Sequence, residues 1–136
     1  MIKYYYMLLA SNLITLEYNP ATNVLFIVWP NIHEYSLNKV KETIAEVLRT
    51  IRHYDVKRLL IDSRRTVIRI DNETYAGLLA DFKKELLNTR IKKIARLESG
   101  YSAREYQFQE IVSSNKFPIS FENFPDKKTA LEWLLA

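Results

Sequence analysis

The residues best suited to chemistry in this chain lie between Arg58 and Phe82. Asp62-Ser63-Arg64-Arg65 sets an acid, a hydroxyl and paired guanidinium groups side by side; Thr66 and Arg69 follow, and Asp71-Asn72-Glu73-Thr74 adds carboxylates and another hydroxyl. Arginine forks near a helix N-terminus suit a carboxylate or a phosphate. Ser63, Thr66 and Thr74 are phosphoryl acceptors by type. The competing readings are ordinary ones. Surface arginines pair weakly with Asp62, Asp71 and Glu98, and hydroxyls in loops and first helical turns serve as caps and turn formers.

Catalysis finds little to work with. There are no cysteines, so thiolate nucleophiles, disulfides and Cys-based zinc sites are excluded. His33 and His53 are the only histidines, and neither has a second ligand at metal spacing. Asp62 and Asp71 are a conceivable carboxylate pair, although strand-end and helix-cap duties explain both. The expectation is a protein that is not an enzyme and carries no cofactor.

Strand and helix signals say how these residues are held. Val56 to Asp62 reads as a buried strand, the loop to Ile70 as polar, and Asp71 or Asn72 as the cap of a helix. That helix has the apolar stripe Tyr75, Leu78, Leu79, Phe82 and Leu86. Gly77 inside it implies close packing against a neighbour. In open α/β sheets, ligands gather at the carboxyl ends of such strands. Strand direction puts Ser63, Arg64, Arg65, Arg69 and Arg96, with Arg104, towards that edge. Lys57, Arg58, Arg90 and Lys92 fall at the opposite, amino edge. A basic surface split in this way does not form the continuous face that nucleic acid needs.

The remaining elements complete an α/β order. Leu13 to Tyr18 alternates, Asn19-Pro20-Ala21-Thr22-Asn23 is a turn, and Val24 to Trp29 is a continuous apolar strand, making an antiparallel hairpin that Pro30 ends. Ser36 caps a first helix with the stripe Leu37, Val40, Ile44, Val47, Leu48 and Ile51. Ile91 to Leu97 is a further strand. The capping box Ser102-Ala103-Arg104-Glu105 opens a third helix bearing Phe108, Ile111 and Val112. Pro118 to Glu122 is a short last strand, and Asp126 caps a last helix over Lys127–Leu135. The expected order is β-β-α-β-α-β-α-β-α. It forms one domain over residues 1–136 with a mostly parallel, mixed, five-stranded sheet and helices packed on it. Residues 1–11 are an N-terminal extension or an extra edge segment. Tyr4, Tyr5 and Tyr6 within it could bury inside the domain, cover a sheet edge, line an apolar cavity or form a self-association surface. Trp29 and Trp133 are core aromatics at element ends.

This order, the strand–loop–capped-helix unit, and the ending Phe117-Pro118-Ile119-Ser120-Phe121-Glu122-Asn123-Phe124-Pro125-Asp126 before Ala130-Leu131-Glu132-Trp133-Leu134 resemble the SpoIIAA-like or STAS-like proteins. These include small bacterial members that are also compared with CRAL-TRIO lipid carriers. The resemblance covers roughly Leu13 to the end. It implies a non-catalytic regulatory or protein-interaction module. In the anti-sigma-factor antagonists of that group, the strand-to-helix loop ends in Asp-Ser-Ser-Gly, and a partner kinase phosphorylates one serine. The matching positions here are Asp71, Asn72, Glu73 and Thr74. The Asp is kept while the serines and the Gly are absent, so the resemblance implies that the phospho-switch is missing. Glu73 in its place carries less charge and fewer acceptors than a phosphate.

Size and charge fit that picture. The 136 residues are enough for a core without disulfides or metals, and 48% apolar with 26% charged residues is ordinary for a globular chain. The net charge of +4 is mild and favours anionic partners. The apolar start Tyr4–Ala10 is too short and too tyrosine-rich for a signal peptide, and no stretch has the length of a membrane span. The expectations are a cytoplasmic location, a protein partner and a possible homodimer. The alternative is a carrier or sensor of a small apolar or amphipathic anionic ligand, whose head the arginines would read.

Overall fold

The structure is a computed structural model that describes residues 7–9, 14–29, 32–33, 37–66, 68–98 and 118–136. Alternation decides the first strands. Leu16 and Tyr18 are buried while Thr15 is exposed, so β2 (Thr15–Asn19) turns one face to the core. It pairs antiparallel with β3 (Val24–Val28) and, on its other side, with a short strand β1 (Met7–Leu9). The extension therefore contributes a sixth strand to a sheet expected to have five. Its three residues carry too little pattern to be read as a strand from sequence.

β3 then lies parallel to β5 (Arg58–Asp62), β5 to β7 (Lys93–Leu97), and β7 to β8 (Ser120–Phe124). The sheet order is β1-β2-β3-β5-β7-β8, mixed and mostly parallel. A second small sheet pairs β4 (Ile32–His33) with β6 (Ile68–Arg69), inside what the sequence presents as loops. β3 begins at Val24 as expected, whereas β2, β5, β7 and β8 begin two residues later than their expected strands. Val56, Ile91 and Ile119 are buried just ahead of the ladders and belong to the core instead.

Among the described residues, two helices cover one sheet face. α1 (Leu37–His53) and α2 (Asn72–Leu86) set Val47, Leu48, Ile51, Phe82 and Leu86 on Leu16, Leu25, Ile27, Leu59, Ile61 and Ile94. Thr43 is buried within the α1 stripe, where its hydroxyl donates to the Lys39 carbonyl at 2.7 Å. The opposite face receives α3 (Lys127–Leu135), whose Ala130 and Leu134 close over Val24, Leu60, Ala95 and Leu97. Central strand β5 is thus covered on both faces, which is why its sequence is a continuous apolar run. The third helix expected behind Ser102, its capping box and Tyr4–Tyr6 lie outside the described residues, as do Pro30 and Ser36. Gly77 departs from expectation. It is exposed, and no described residue stands within 4 Å of where a Cβ would be.

Candidate functional site

The carboxyl edge of the sheet is built by hydrogen bonds that continue the ladders past the strand ends. Trp29 N–H donates to the Asp62 carbonyl at 2.8 Å. Ser63 N–H and its hydroxyl both donate to the Leu97 carbonyl at 3.2 Å, and Ser63 is only 8% exposed. Thr66 closes the turn. Its N–H donates to the Ser63 carbonyl at 3.2 Å, and its hydroxyl donates to the Trp29 carbonyl at 3.0 Å. Both hydroxyls thus fasten the loop to neighbouring strands and are not presented to solvent as nucleophiles.

Asp62 and Arg64 close on each other. The Arg64 Nε and Nη2 donate to the two carboxylate oxygens at 3.0 and 2.9 Å, and the Arg64 backbone N–H adds a bond of 3.1 Å. The guanidinium hydrogen bond holds the Asp62 carboxyl below its usual range against the opposing effect of burial, with further help from the Arg64 N–H and the charge of Arg65. The same pairing raises the Arg64 pKa, aided by Asp126.

Asp71-Asn72-Glu73-Thr74 is a helix cap. One Asp71 oxygen accepts the Thr74 N–H at 2.7 Å and the other accepts the Thr74 hydroxyl at 2.8 Å. Asn72 and Glu73 are exposed in the first turn of α2. Those donations from Thr74, the N–H foremost, lower the Asp71 pKa. Asp126-Lys127-Lys128-Thr129 repeats the device at α3, with Thr129 N–H at 2.8 Å and its hydroxyl at 2.9 Å from Asp126 Oδ1. The Asp126 pKa is lowered by Thr129 in the same order of causes. This shared Asp-x-x-Thr spacing is legible in the sequence as a pair of equivalent caps.

The expected rim of arginines divides. On β7, Arg96 lies on the same face as Ile94, whereas Asp62 lies on the face of Leu60 and Leu97, so the sheet separates Arg96 from the Asp62–Arg64 clasp. Arg96 is 4% exposed and meets Glu98 at 3.6 Å. Arg65 and Arg69 are exposed and have no ion pair among the described residues. The pairing of β4 with β6 sets Arg69 opposite His33. Trp29 is the contributor that sequence reasoning placed only in the core. Its backbone N–H and carbonyl anchor Asp62 and Thr66, a role that a side-chain pattern does not encode.

No family model matches this chain, and no curated protein matches it. Among solved structures it is similar to an uncharacterized protein of the DUF3478 family, with a SpoIIAA-like fold, from Shewanella loihica. The identity is 18% over 96% of this chain and 92% of that one, with a TM-score of 0.48. The fold class is α/β, and this likeness is to a SpoIIAA-like fold. The chain is also similar to the Pseudomonas putida nuclease MPE, at 16% identity and a TM-score of 0.51. That match covers 90% of this chain and 62% of the nuclease's length. At such identities the likeness concerns the fold alone.

Proposed function

We propose that this chain is a non-catalytic recognition module, and that it docks an acidic protein partner at the carboxyl edge through Arg65 and Arg69. One observation supports this reading above the others. The acids and hydroxyls of that edge, Asp62, Ser63, Thr66, Asp71 and Thr74, are spent on fastening the loop and capping α2, while exposed guanidinium groups remain. A loop pinned at both ends loses little conformational freedom on binding, which favours recognition by a rigid edge. Arginine forks select carboxylates by geometry as well as charge.

The test is site-specific photo-crosslinking in cells, with a benzophenone amino acid at position 65 and, as a control, at position 57 on the amino edge. A discrete protein adduct from position 65 that disappears when Arg69→Glu is added supports the reading. Equal adducts from both positions would remove the edge from consideration. The likeness to a nuclease names a rival. Cleavage of a labelled nucleic acid by the purified protein, abolished by Asp62→Asn, would replace recognition with catalysis. A small molecule retained in native mass spectrometry and absent under denaturing conditions would favour the carrier reading.

A further inference from the structure

The positive charge of the chain is concentrated at one end of the sheet. Residues 52–58 and 83–93 hold eight lysines and arginines against two acids, a net +6, whereas the whole chain carries +4. Everything else therefore comes to −2, and the residues outside the described ones add three bases and three acids to that balance. The fold joins the two segments at the amino edge. The Lys57 carbonyl accepts the N–H groups of Lys92 and Lys93 at 2.8 and 3.2 Å, Arg52 meets Glu85 at 2.8 Å, and Arg90 meets Asp55 at 3.5 Å. α1 and α2 end here, and so does α3, whose last carbonyls are held by Arg58 and Lys93.

Helix ends account for only part of this charge. A helix C-terminus carries roughly half a negative charge, so three of them offset about one and a half of the six. The arginines are engaged: Arg52 and Arg90 pair with the two acids, and Arg58 donates to the Leu134 and Thr22 carbonyls. Lys57, Lys84 and Lys92 are exposed and form no ion pair with a described residue. Lysine is a compact point charge on a flexible stem, without the fork that fixes a single carboxylate or phosphate. Exposed apolar side chains share the edge. Leu87, 50% exposed, is the C-cap of α2, one turn after Lys84. Leu135, 47% exposed, lies between Leu134 and Ala136, whose carbonyls Arg58 and Lys93 hold.

Point charges beside apolar side chains at one end of a molecule match a flat anionic surface. Nucleic acid is read instead through arginine forks and stacked aromatic rings. Here the arginines are engaged, Tyr54 is stacked on Tyr18, and Trp133 has the Lys93 ammonium 5.0 Å from its ring centroid. We infer that the amino edge docks on an anionic lipid surface, with Lys57, Lys84 and Lys92 among the headgroups and Leu87 and Leu135 at the boundary with the acyl chains. α2 and α3 cover opposite sheet faces, so the two leucines flank the basic edge, one on either side. Two side chains are a small anchor, which makes the attachment reversible and dependent on the lysines. Docking in this way turns the carboxyl edge, with Arg65 and Arg69, outwards, and it does not depend on what that edge binds.

Co-sedimentation of the purified chain with sucrose-loaded vesicles tests this. The vesicles are phosphatidylcholine alone or with about a third phosphatidylserine, at about 0.05 to 0.5 M salt. The expected result is binding to the anionic vesicles only, lost as salt rises. Lys57→Gln, Lys84→Gln and Lys92→Gln should each lower the partition coefficient about fivefold, the contribution of one basic residue near such a surface. Lys39→Gln and Lys41→Gln, exposed at the far end of α1, remove the same charge and should change it less than about twofold. Leu87→Gln should lower it at least about threefold, with unchanged circular dichroism and melting temperature. Absence of binding to either vesicle overturns the inference. So do equal losses from the Lys39 and Lys57 variants, which would reduce the effect to net charge. A labelled oligonucleotide bound more tightly than the anionic vesicles at the same salt, and indifferent to Leu87→Gln, would assign the edge to nucleic acid instead.

Discussion

Arg64 holds both oxygens of Asp62, at 3.0 and 2.9 Å, across a single intervening residue. The clasp stiffens the turn that carries Arg65, and it has a pH signature. The folded pKa of Asp62 is lowered, so the ionised form is favoured by folding. This contribution is fully present above the unfolded carboxylate value, about 3.9, and is lost as pH falls through the lower, folded value. Because the Arg64 side chain is 40% exposed, Asp62→Asn should cost about 1 kcal/mol or less at neutral pH. Thermal melts from neutral pH to below pH 4 should converge for wild type and variant as acid removes the clasp. Parallel curves over the whole range would show that the pair contributes no pH-dependent stability. Asp71 and Asp126 titrate in the same direction, so the difference between the two proteins is the quantity to follow.

The second prediction separates a switch from a cap. If Asp71 only caps α2, then Asp71→Ala should lower the melting temperature, and Asp71→Asn or Asp71→Ser should recover most of the loss, because each still offers an oxygen to the Thr74 N–H. Asp126→Ala should behave alike at α3, where the carboxylate likewise accepts the Thr129 N–H. Crosslinking from position 65 should survive Asp71→Asn. Loss of crosslinking in a variant that keeps its stability would give the Asp71 loop a functional role beyond capping.

The strands and helices were legible because each carries a period that burial enforces. The alternation of Thr15–Tyr18, the continuous run Leu59–Ile61 and the helical stripe ending in Phe82 and Leu86 match the faces they present. The Asp71 and Asp126 caps were legible too, since a cap is local chemistry. What escaped was non-local. β1 is an edge strand whose identity depends on pairing with Glu17 and its neighbours, and the β4–β6 pair joins loops far apart in the chain. Arg96 and the Arg64 that clasps Asp62 are separated by the sheet, because Arg96 is in register with Ile61 on one face while Asp62 is in register with Leu97 on the other.

Gly77 gives the third prediction. Glycine inside a helix is tolerated where a neighbour needs the space, and here no described neighbour does. Gly77→Ala should therefore stabilise the protein by about 0.5–1 kcal/mol, through helix propensity and a less flexible unfolded chain. The melting temperature should rise by a few degrees, on the order of 2–5 °C for a chain of this size. A fall instead would reveal a steric demand at that position, and with it a functional or packing reason for the glycine.

Asn23 carries the last prediction, at the amino edge. Its φ of 57° is in the left-handed region, where Asn is tolerated better than most residues with a side chain. Its side chain uses that backbone to join separate elements. Oδ1 accepts the Lys57 N–H at 2.6 Å, ahead of β5, and Nδ2 donates to the Tyr18 hydroxyl at 2.8 Å. Tyr18 in turn stacks on Tyr54, with ring centroids 4.6 Å apart, so one residue ties the β2–β3 turn to the end of α1. Asn23→Ala loses these bonds, and a longer one of 3.4 Å from Nδ2 to the Asp55 carbonyl, and keeps the unfavourable backbone, for an expected cost of about 2–4 kcal/mol. Asn23→Gly loses the bonds but relieves the backbone, and should recover about 1 kcal/mol of that. Urea denaturation of the three proteins orders them as wild type, glycine, alanine. If alanine equals or exceeds glycine in stability, the left-handed backbone is not what selects the residue, and the side-chain bonds carry the whole effect.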